Sequence, residues 1–222
     1  MGNIKINQYV VGMVQTNCYV VANATTKECI VIDPGASGVK LAEKIRESGY
    51  MPKAVLLTHG HFDHVAAAKT VAKEFDIQIY AHEAEEETLQ DSKKNASWMM
   101  GANETYDADV FVKDGEELHL AGFAIKVFHT PGHTLGGCCY YIPEEQVIFT
   151  GDTLFAQSVG RTDLPGGSMS QIVHSIREKI LVLTEKKNGL DDTSNEDADI
   201  TVYPGHNEVT TIETERKYNP YL

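Results

Sequence analysis

The sequence predicts a mixed α/β (α+β) fold in which two groups of strands are interspersed with helices. Short runs rich in β-branched and aromatic residues recur between polar turns, which is typical of strands. Between them, apolar residues recur at spacings of three and four, which indicates amphipathic helices. Because the chain has 222 residues, we expect a single domain over residues 1–222.

The first half of the chain contains most of the predicted strands. Strands are predicted at residues 4–10, 17–22, 29–32, 54–57 and 77–80. A helix is predicted over 37–48, where apolar residues recur at helical spacing and Gly49 ends the pattern; these residues are Val39, Leu41, Ala42 and Ile45. A second helix is predicted over 65–75.

In the second half, strands are predicted at 123–128, 137–142, 146–149 and 200–203, and helices at 169–183 and 209–217. The acidic stretch 186–199 is predicted to be a solvated loop. Residues 83–109 are predicted to form one or two short helices. They form either a lid over the site or a surface excursion in which Trp98 and the two methionines after it dock on the core.

Charge and composition exclude several classes of partner. The chain has 19 basic and 32 acidic residues, a formal charge of −13, which repels phosphate backbones and anionic lipid. We therefore expect neither nucleic acid nor a membrane as partner. No secretory leader or membrane-spanning run is predicted, and the four cysteines show no CxxC spacing. These features predict a cytoplasmic protein with reduced thiols.

The strongest chemical signal is the motif His59-Gly60-His61-Phe62-Asp63-His64, in which four of six residues are potential metal ligands. Imidazole nitrogens suit zinc and iron, and carboxylates add charge and orient water. The motif lies between a predicted strand and a predicted helix. A loop there can turn His59 and His61 toward one ion while Asp63 and His64 reach another. The alternative is a cluster of surface histidines, which this density of ligands disfavours.

Three further potential ligands each follow an apolar run and a glycine. They are His133 in Pro131-Gly132-His133-Thr134, Asp152 in Gly151-Asp152-Thr153, and His206 in Pro204-Gly205-His206. A lone histidine after a turn is more often structural. The context that all three share favours ligands of the same metal centre.

In this order, the motifs resemble the metallo-β-lactamase superfamily, and more narrowly its hydroxyacylglutathione hydrolase (glyoxalase II) branch. The resemblance extends from Gln15-Thr16-Asn17-Cys18-Tyr19 to Asn219-Pro220-Tyr221-Leu222. It includes Ile32-Asp33-Pro34-Gly35 and the glycine-rich stretch 160–167. The resemblance implies a four-layer αβ/βα sandwich with the site along one edge of the sheets.

The resemblance also implies two divalent metal ions, each held by three residues and joined by a bridging carboxylate. The first ion would be held by His59, His61 and His133. The second ion would be held by Asp63, His64 and His206, with Asp152 as the bridge. Zinc is the expected metal, with iron or manganese as alternatives, because histidine and aspartate ligands suit all three.

Two further residues are candidates for supporting roles. Asp33 matches a family aspartate behind the metals, where it would orient a ligand; the alternative is an ordinary Asp-Pro-Gly turn. Arg161 either binds an anionic substrate or pairs with Asp163 in a structural turn.

The predicted reaction is hydrolysis of a small-molecule thioester. Two ions would share a bridging hydroxide that attacks the thioester carbonyl, and Asp63 would accept the proton of the attacking water. A thiolate, whose thiol has a pKa of about 8.5, leaves without a general acid. Asp152, as the bridge, and Asp63 are therefore the predicted catalytic residues. A metal-binding module without catalysis is disfavoured, because this ligand set leaves solvent positions open.

The main alternative is a persulfide dioxygenase of the same superfamily, which would use one iron on His59, His133 and Asp152, together with O₂. A β-lactamase is a weaker prediction, because the best-known group is exported and has cysteine where Asp152 stands. Glyoxalase II enzymes also have a C-terminal helical region that binds glutathione, and this sequence lacks its pattern after His206. We therefore expect inefficient turnover of S-lactoylglutathione and better turnover of another thiol carrier.

Overall fold

The computed structural model describes residues 3–184 and 199–222, and it contains two six-stranded sheets that pack against each other. The predicted loop over 186–199 lies outside the described residues, apart from Asp199. The mixed α+β class predicted from the sequence is confirmed.

Six strands form the first sheet in their chain order. They are β1 (Ile4–Val11), β2 (Thr16–Asn23), β3 (Glu28–Ile32), β4 (Met51–Leu56), β5 (Gln78–His82) and β6 (Val110–Val112). β1, β2 and β3 are antiparallel neighbours, whereas β3 to β6 run parallel. Parallel neighbours need crossover segments, and helices supply most of them.

The second half of the chain forms the second sheet and a small hairpin. Its strands are β7 (Glu117–Leu120), β8 (Phe123–His129), β9 (Cys138–Ile142), β10 (Val147–Gly151), β11 (Leu154–Phe155), β12 (Ser158–Val159), β13 (Thr201–Pro204) and β14 (Thr210–Thr211). The spatial order in the sheet is β14-β13-β10-β9-β8-β7, and β11 pairs with β12 in the separate hairpin. Only β10 and β13 are parallel in this sheet.

In the described residues, six α-helices connect or cover these strands. They are α1 (Gly38–Glu47), α2 (Phe62–Val65), α3 (Ala68–Phe75), α4 (Glu86–Gln90), α5 (Met169–Ser175) and α6 (Ile212–Tyr218). A π-turn at Ile176–Ile180 and a 3-10 turn at Leu181–Thr184 extend α5. Within the described ranges, no helix is long and apolar enough to cross a membrane.

The alternation of side chains along β2 shows why the fold has four layers. Val20 belongs to a buried cluster with Leu41 and Ile45 of α1, on the outer face of the first sheet. Its neighbour Tyr19 points the other way, and its ring lies 5.4 Å from that of Phe149 in the second sheet. Because successive strand residues face opposite sides, a strand that is buried throughout must be covered on both faces.

The second sheet is covered in the same manner. Ile148 of β10 and Val202 of β13 form a buried cluster with Ile172 of α5 and Ile212 of α6. The layers are thus helices, first sheet, second sheet and helices. The four-layer αβ/βα arrangement expected from the resemblance is confirmed.

Some predicted boundaries were wrong. The helix predicted over 65–75 is divided, because the backbone N–H of Ala67 donates to the carbonyl of Pro34 (2.9 Å) at the start of α3. The helix predicted over 209–217 begins at Ile212, because Thr210–Thr211 pairs with β13 as β14. The short strands β6, β7, β11 and β12 were not predicted.

The segment 83–109 contains α4 and two 3-10 turns, at Glu83–Glu85 and Ser97–Met100. The alternative prediction that Trp98 and the two methionines after it dock on the core is wrong, because these side chains are about half exposed. The segment is joined to the metal-ligand motif through a hydrogen bond from the backbone N–H of Phe62 to the carbonyl of Asn95 (2.8 Å).

Candidate metal centre

All seven predicted ligands follow strands that end at one edge of the two sheets. The motif 59–64 follows β4, and His133 follows β8. Asp152 follows β10 directly, and His206 lies two residues after β13. The parallel pairing of β10 with β13 places the carboxyl ends of these strands side by side. The topology therefore brings residues nearly 150 positions apart in sequence to one place.

The side chains form three overlapping groups. In each group, one ligand atom per residue lies within 4.8 Å of the corresponding atoms of the others. The groups are His59, His61 and His133; His59, His64 and Asp152; and Asp63, His64 and His206. The first and third groups, named here the first and second triples, have the membership expected from the sequence.

Asp152 lies between the two triples. Its Oδ2 is 3.4 Å from Nε2 of His133, in the first triple, and 3.6 Å from Nε2 of His206, in the second. Its Oδ1 is 3.3 Å from Nε2 of His64. A carboxylate that faces both triples is placed to bridge two ions.

The donor set fits divalent metal ions. Among the described residues, the buried Nε2 atom of His59 has no hydrogen-bond partner. Nδ1 of His61 lies 2.9 Å from Nε2 of His133. Nε2 of His64 lies 3.3 Å from Nε2 of His206. Buried polar atoms are almost always satisfied, so unpaired imidazole nitrogens that converge with carboxylates need a cation.

Residues behind the ligands hold the rings in place. Nδ1 of His64 lies 2.9 Å from Oδ2 of Asp33, whose carboxylate also accepts hydrogen bonds from the backbone N–H and hydroxyl of Thr58 (2.8 and 2.6 Å). Nδ1 of His133 lies 2.8 Å from the backbone carbonyl of Arg161. Both contacts leave Nε2 directed at the centre, as is usual for metal-binding histidines.

The electrostatics favour the ligand forms of Asp152, Asp63 and His59. At His64 and His206 burial opposes protonation, but the carboxylates of Asp63 and Asp152 outweigh burial and raise the pKa, so metal binding at these two rings releases protons. Burial would raise the pKa of Asp152, but the charge and hydrogen bond of His64 lower it to about 2. Burial likewise opposes ionisation of Asp63, and His64 and His206 again outweigh it, so the pKa lies below its usual range. Burial, followed by the neighbouring histidines, holds the pKa of His59 well below its ordinary value. At neutral pH the carboxylates are ionised and His59 is neutral, which are the states that bind metal.

The centre is open on one side. The side chains of Asp63, Asp152 and His206 are 14%, 12% and 17% exposed, whereas that of His64 is fully buried. The centre is therefore accessible to solvent over the face formed by Asp63, Asp152 and His206.

Gly205 permits the last ligand loop to approach the others. A Cβ at this position would lie 2.3 Å from Oδ1 of Asp152 and 2.6 Å from Cε1 of His64. Its backbone carbonyl also accepts a hydrogen bond from the N–H of Asn17 (2.7 Å). Any larger residue must displace a candidate ligand.

The guanidinium of Arg161 is not a free cation, because it is paired with a neighbouring carboxylate. It forms two hydrogen bonds of 2.7 Å to the carboxylate of Asp163, and both side chains are more than half exposed. The alternative of a structural Arg161–Asp163 turn is the arrangement seen. The backbone carbonyl of Arg161, rather than its side chain, contacts His133.

Sequence reasoning missed three supporting residues. The hydroxyl of Thr16 donates to Oδ2 of Asp63 (2.8 Å), Thr58 binds Asp33, and Glu85 binds the backbone of two ligand loops. Thr16 lies within the stretch 15–19 that carries the family resemblance, and Thr58 directly precedes the motif 59–64, but neither was assigned a role. Glu85 lies in a run of glutamates in which nothing distinguishes it from a solvated residue.

Comparison with known proteins agrees with this geometry. Residues 11–207 match the family model described as metallo-beta-lactamase superfamily. The chain is 36% identical over 214 residues to the probable metallo-hydrolase YqgX of Bacillus subtilis, covering 96% of this chain and 94% of that protein. It is 35% identical over 214 residues to the hydroxyacylglutathione hydrolase GloC of Haemophilus influenzae, covering 94% and 93%.

Solved structures extend the comparison. The B3 metallo-β-lactamase BLEG-1 superposes with a TM-score of 0.87 at 37% identity, covering 98% of this chain and 99% of that one. TTHA1623, solved in a di-iron-bound form, superposes with a TM-score of 0.82 at 31% identity, covering 97% and 100%.

Proposed function

Because the chain belongs to the metallo-β-lactamase superfamily, we propose that it is a binuclear metallohydrolase that cleaves thioesters of the hydroxyacylglutathione type. The observation that carries the proposal is the position of Asp152 between two triples of potential ligands. The similarity to GloC supports the choice of thioester.

The first triple would hold one divalent ion and the second triple the other, with Asp152 between them. Bound divalent ions would lower the pKa of coordinated water and polarise a carbonyl oxygen. Zinc is the first choice of metal. The di-iron form of TTHA1623 makes iron the first alternative to test, and manganese the second.

The protein's own groups would accept the proton of the attacking water and orient the ligands. Asp63 is ionised at neutral pH and partly exposed at the open face, so its carboxylate is placed to accept the proton of an attacking water. The hydroxyl of Thr16 holds Oδ2 of Asp63 in position (2.8 Å). Asp33 and the carbonyl of Arg161 keep the Nε2 atoms of His64 and His133 directed inward.

A thioester suits this arrangement because a thiolate leaves without a proton donor. The free thiol has a pKa of about 8.5, so the leaving group is stable at neutral pH. An amide or ester would need a general acid at the same position.

Metal content and substrate range test the proposal. Elemental analysis of protein purified without added metal should give two ions per chain after reconstitution with Zn²⁺. The assay panel contains S-lactoylglutathione, thioesters of smaller thiols, a lactone, a β-lactam and glutathione persulfide. Thioester turnover that requires metal is the expected result.

Two outcomes of the panel would replace the proposal. Oxygen uptake with glutathione persulfide, one iron per chain and no thioester turnover would make the protein a dioxygenase that uses His59, His133 and Asp152. Efficient β-lactam turnover without thioester turnover would make it a β-lactamase, in line with its similarity to BLEG-1.

A further inference from the structure

We propose that Glu85 is a positioning residue for the first triple, because its carboxylate joins the loop of His59 and His61 to the loop of His133. The inference rests on the proposed role of these histidines as metal ligands. Glu85 belongs to neither triple and would act through the backbone of the two loops.

Each oxygen of the Glu85 carboxylate binds one loop. Oε1 accepts a hydrogen bond of 2.8 Å from the N–H of Gly60, the residue between His59 and His61. Oε2 accepts a hydrogen bond of 2.6 Å from the N–H of Gly136, three residues after His133. One side chain therefore joins the two loops, beside the backbone hydrogen bond from the N–H of Cys138 to the carbonyl of Thr58 (2.8 Å).

The burial of Glu85 means that its carboxylate requires these hydrogen bonds. Glu85 is 1% exposed, and a buried carboxylate is unfavourable unless hydrogen bonds compensate for the lost water. Burial raises the pKa of Glu85 to about 7, and the N–H groups of Gly60 and Gly136 act in the opposite direction by stabilising the ionised form. Hydrogen bonds to a charged acceptor are shorter and stronger than neutral ones.

The backbone around Glu85 is shaped to receive the second loop. A Cβ at Gly136 would lie 2.3 Å from the backbone nitrogen of Glu85, so only glycine permits this approach. The 3-10 turn that ends at Glu85 is held at its start by His82, whose Nδ1 accepts the N–H of Ala84 (3.3 Å). Glu85 therefore belongs to a fixed turn, against which both loops are positioned.

The effect should be specific to the first triple. The two loops that Glu85 joins carry all three residues of that triple. Of the second triple, Asp63 and His64 lie on α2 and are held by Thr16 and Asp33, and His206 follows β13. Loss of the Glu85 contacts should change the spacing of the first triple and leave the second in place.

Zn²⁺ titration in two backgrounds tests this specificity. His206→Ala removes a ligand of the second triple only, and His61→Ala removes a ligand of the first triple only. Glu85→Gln is added to each, because glutamine keeps the size but presents an NH₂ group to one of the two N–H donors. Affinities are measured by competition with a chromophoric chelator at about pH 8, above the pKa of Glu85.

In the His206→Ala background, Glu85→Gln should weaken Zn²⁺ binding about 10- to 100-fold, the range for residues that orient metal ligands. In the His61→Ala background, Zn²⁺ affinity should not change. Equal losses in both backgrounds, or no loss in either, would overturn the role of Glu85. If Glu85→Gln does not fold by circular dichroism, Glu85→Asp replaces it, since its shorter side chain cannot reach both loops.

The matched control is Glu215→Gln. Glu215 is also buried, and it accepts hydrogen bonds from Thr210, Gln157 and Asn219, none of which is on a ligand loop. This variant should lower Tm without selective loss at the first triple. Wild-type protein that binds no Zn²⁺ would contradict the proposed function, whereas two ions in the wild type and unaltered affinities in the Glu85 variants would overturn only this inference.

Discussion

Nδ1 of His64 lies 2.9 Å from Oδ2 of Asp33, and neither side chain is more than 2% exposed. The contact fixes which nitrogen of His64 faces the centre: Nε2 lies 3.4 Å from Oδ2 of Asp63 and 3.3 Å from Oδ1 of Asp152. A residue outside the ligand set thereby sets the geometry of a ligand.

Asp33→Asn should weaken Zn²⁺ binding about 10- to 100-fold, because the amide cannot hold both the Thr58 donors and the His64 ring as the carboxylate does. Competition titration measures the effect. Asp76→Asn is the control, since Asp76 is exposed and its left-handed conformation suits asparagine. Unchanged Zn²⁺ affinity in Asp33→Asn would show that Asp33 belongs to an ordinary Asp-Pro-Gly turn and does not orient a ligand.

Asp152→Ala should abolish thioester turnover and weaken the binding of at least one ion, because Asp152 is the only carboxylate placed between the two triples among the described residues. Circular dichroism should show an intact fold, since the core consists of apolar side chains on the sheets and helices. Metal analysis and activity are measured on the same sample. Activity with two bound ions would show that another group bridges them.

Gly205→Ala should reduce metal content, because the added Cβ would lie 2.3 Å from Oδ1 of Asp152. The loop must move or the carboxylate must turn away, and either change separates His206 from Asp152. The comparison variant is Gly49→Ala, where no atom lies within 4 Å of the added Cβ but φ is +72°, so some loss of Tm is expected without loss of metal. Full metal content in Gly205→Ala would mean that the loop adapts.

His82 should make stability depend on pH. Burial, followed by the charge of His129, lowers the pKa of His82 to about 4. The unfolded chain, with a pKa of about 6.5, then binds more protons than the folded one below that pH, so the free energy of unfolding falls as pH drops from about 6.5 to about 4. We expect protonation of His82 to lower the free energy of unfolding by about 2 kcal/mol over this range. The value allows for screening by water near the partly exposed His129.

Chemical denaturation of metal-free protein at several pH values measures this effect. His82→Phe retains the stacked ring, which lies 4.1 Å from that of His129 in the wild type, but cannot be protonated. The difference in stability between wild type and variant should therefore shrink or reverse as pH falls through this window. A difference independent of pH would show that His82 does not titrate there.

The strand predictions succeeded where a local pattern was sufficient. β2 and β9 are buried on both faces, and their apolar runs identified them directly. The motif 59–64 and the Gly-ligand sequences at 133, 152 and 206 pointed to seven residues that the fold does bring together. The helix over 65–75 was divided because the carbonyl of Pro34, distant in sequence, binds Ala67 at the break.

By itself, the sequence determined the class of fold and the chemistry available, because strand burial and ligand density are properties of short segments. Only the tertiary structure decided the distances between the ligands and the hydrogen bonds that hold them. Asp33, Thr16 and Glu85 contact partners that are 25 to 51 positions away. Such contacts produce no pattern in the sequence. A hydrogen bond across the fold depends on where two loops meet, and not on the residues beside either partner.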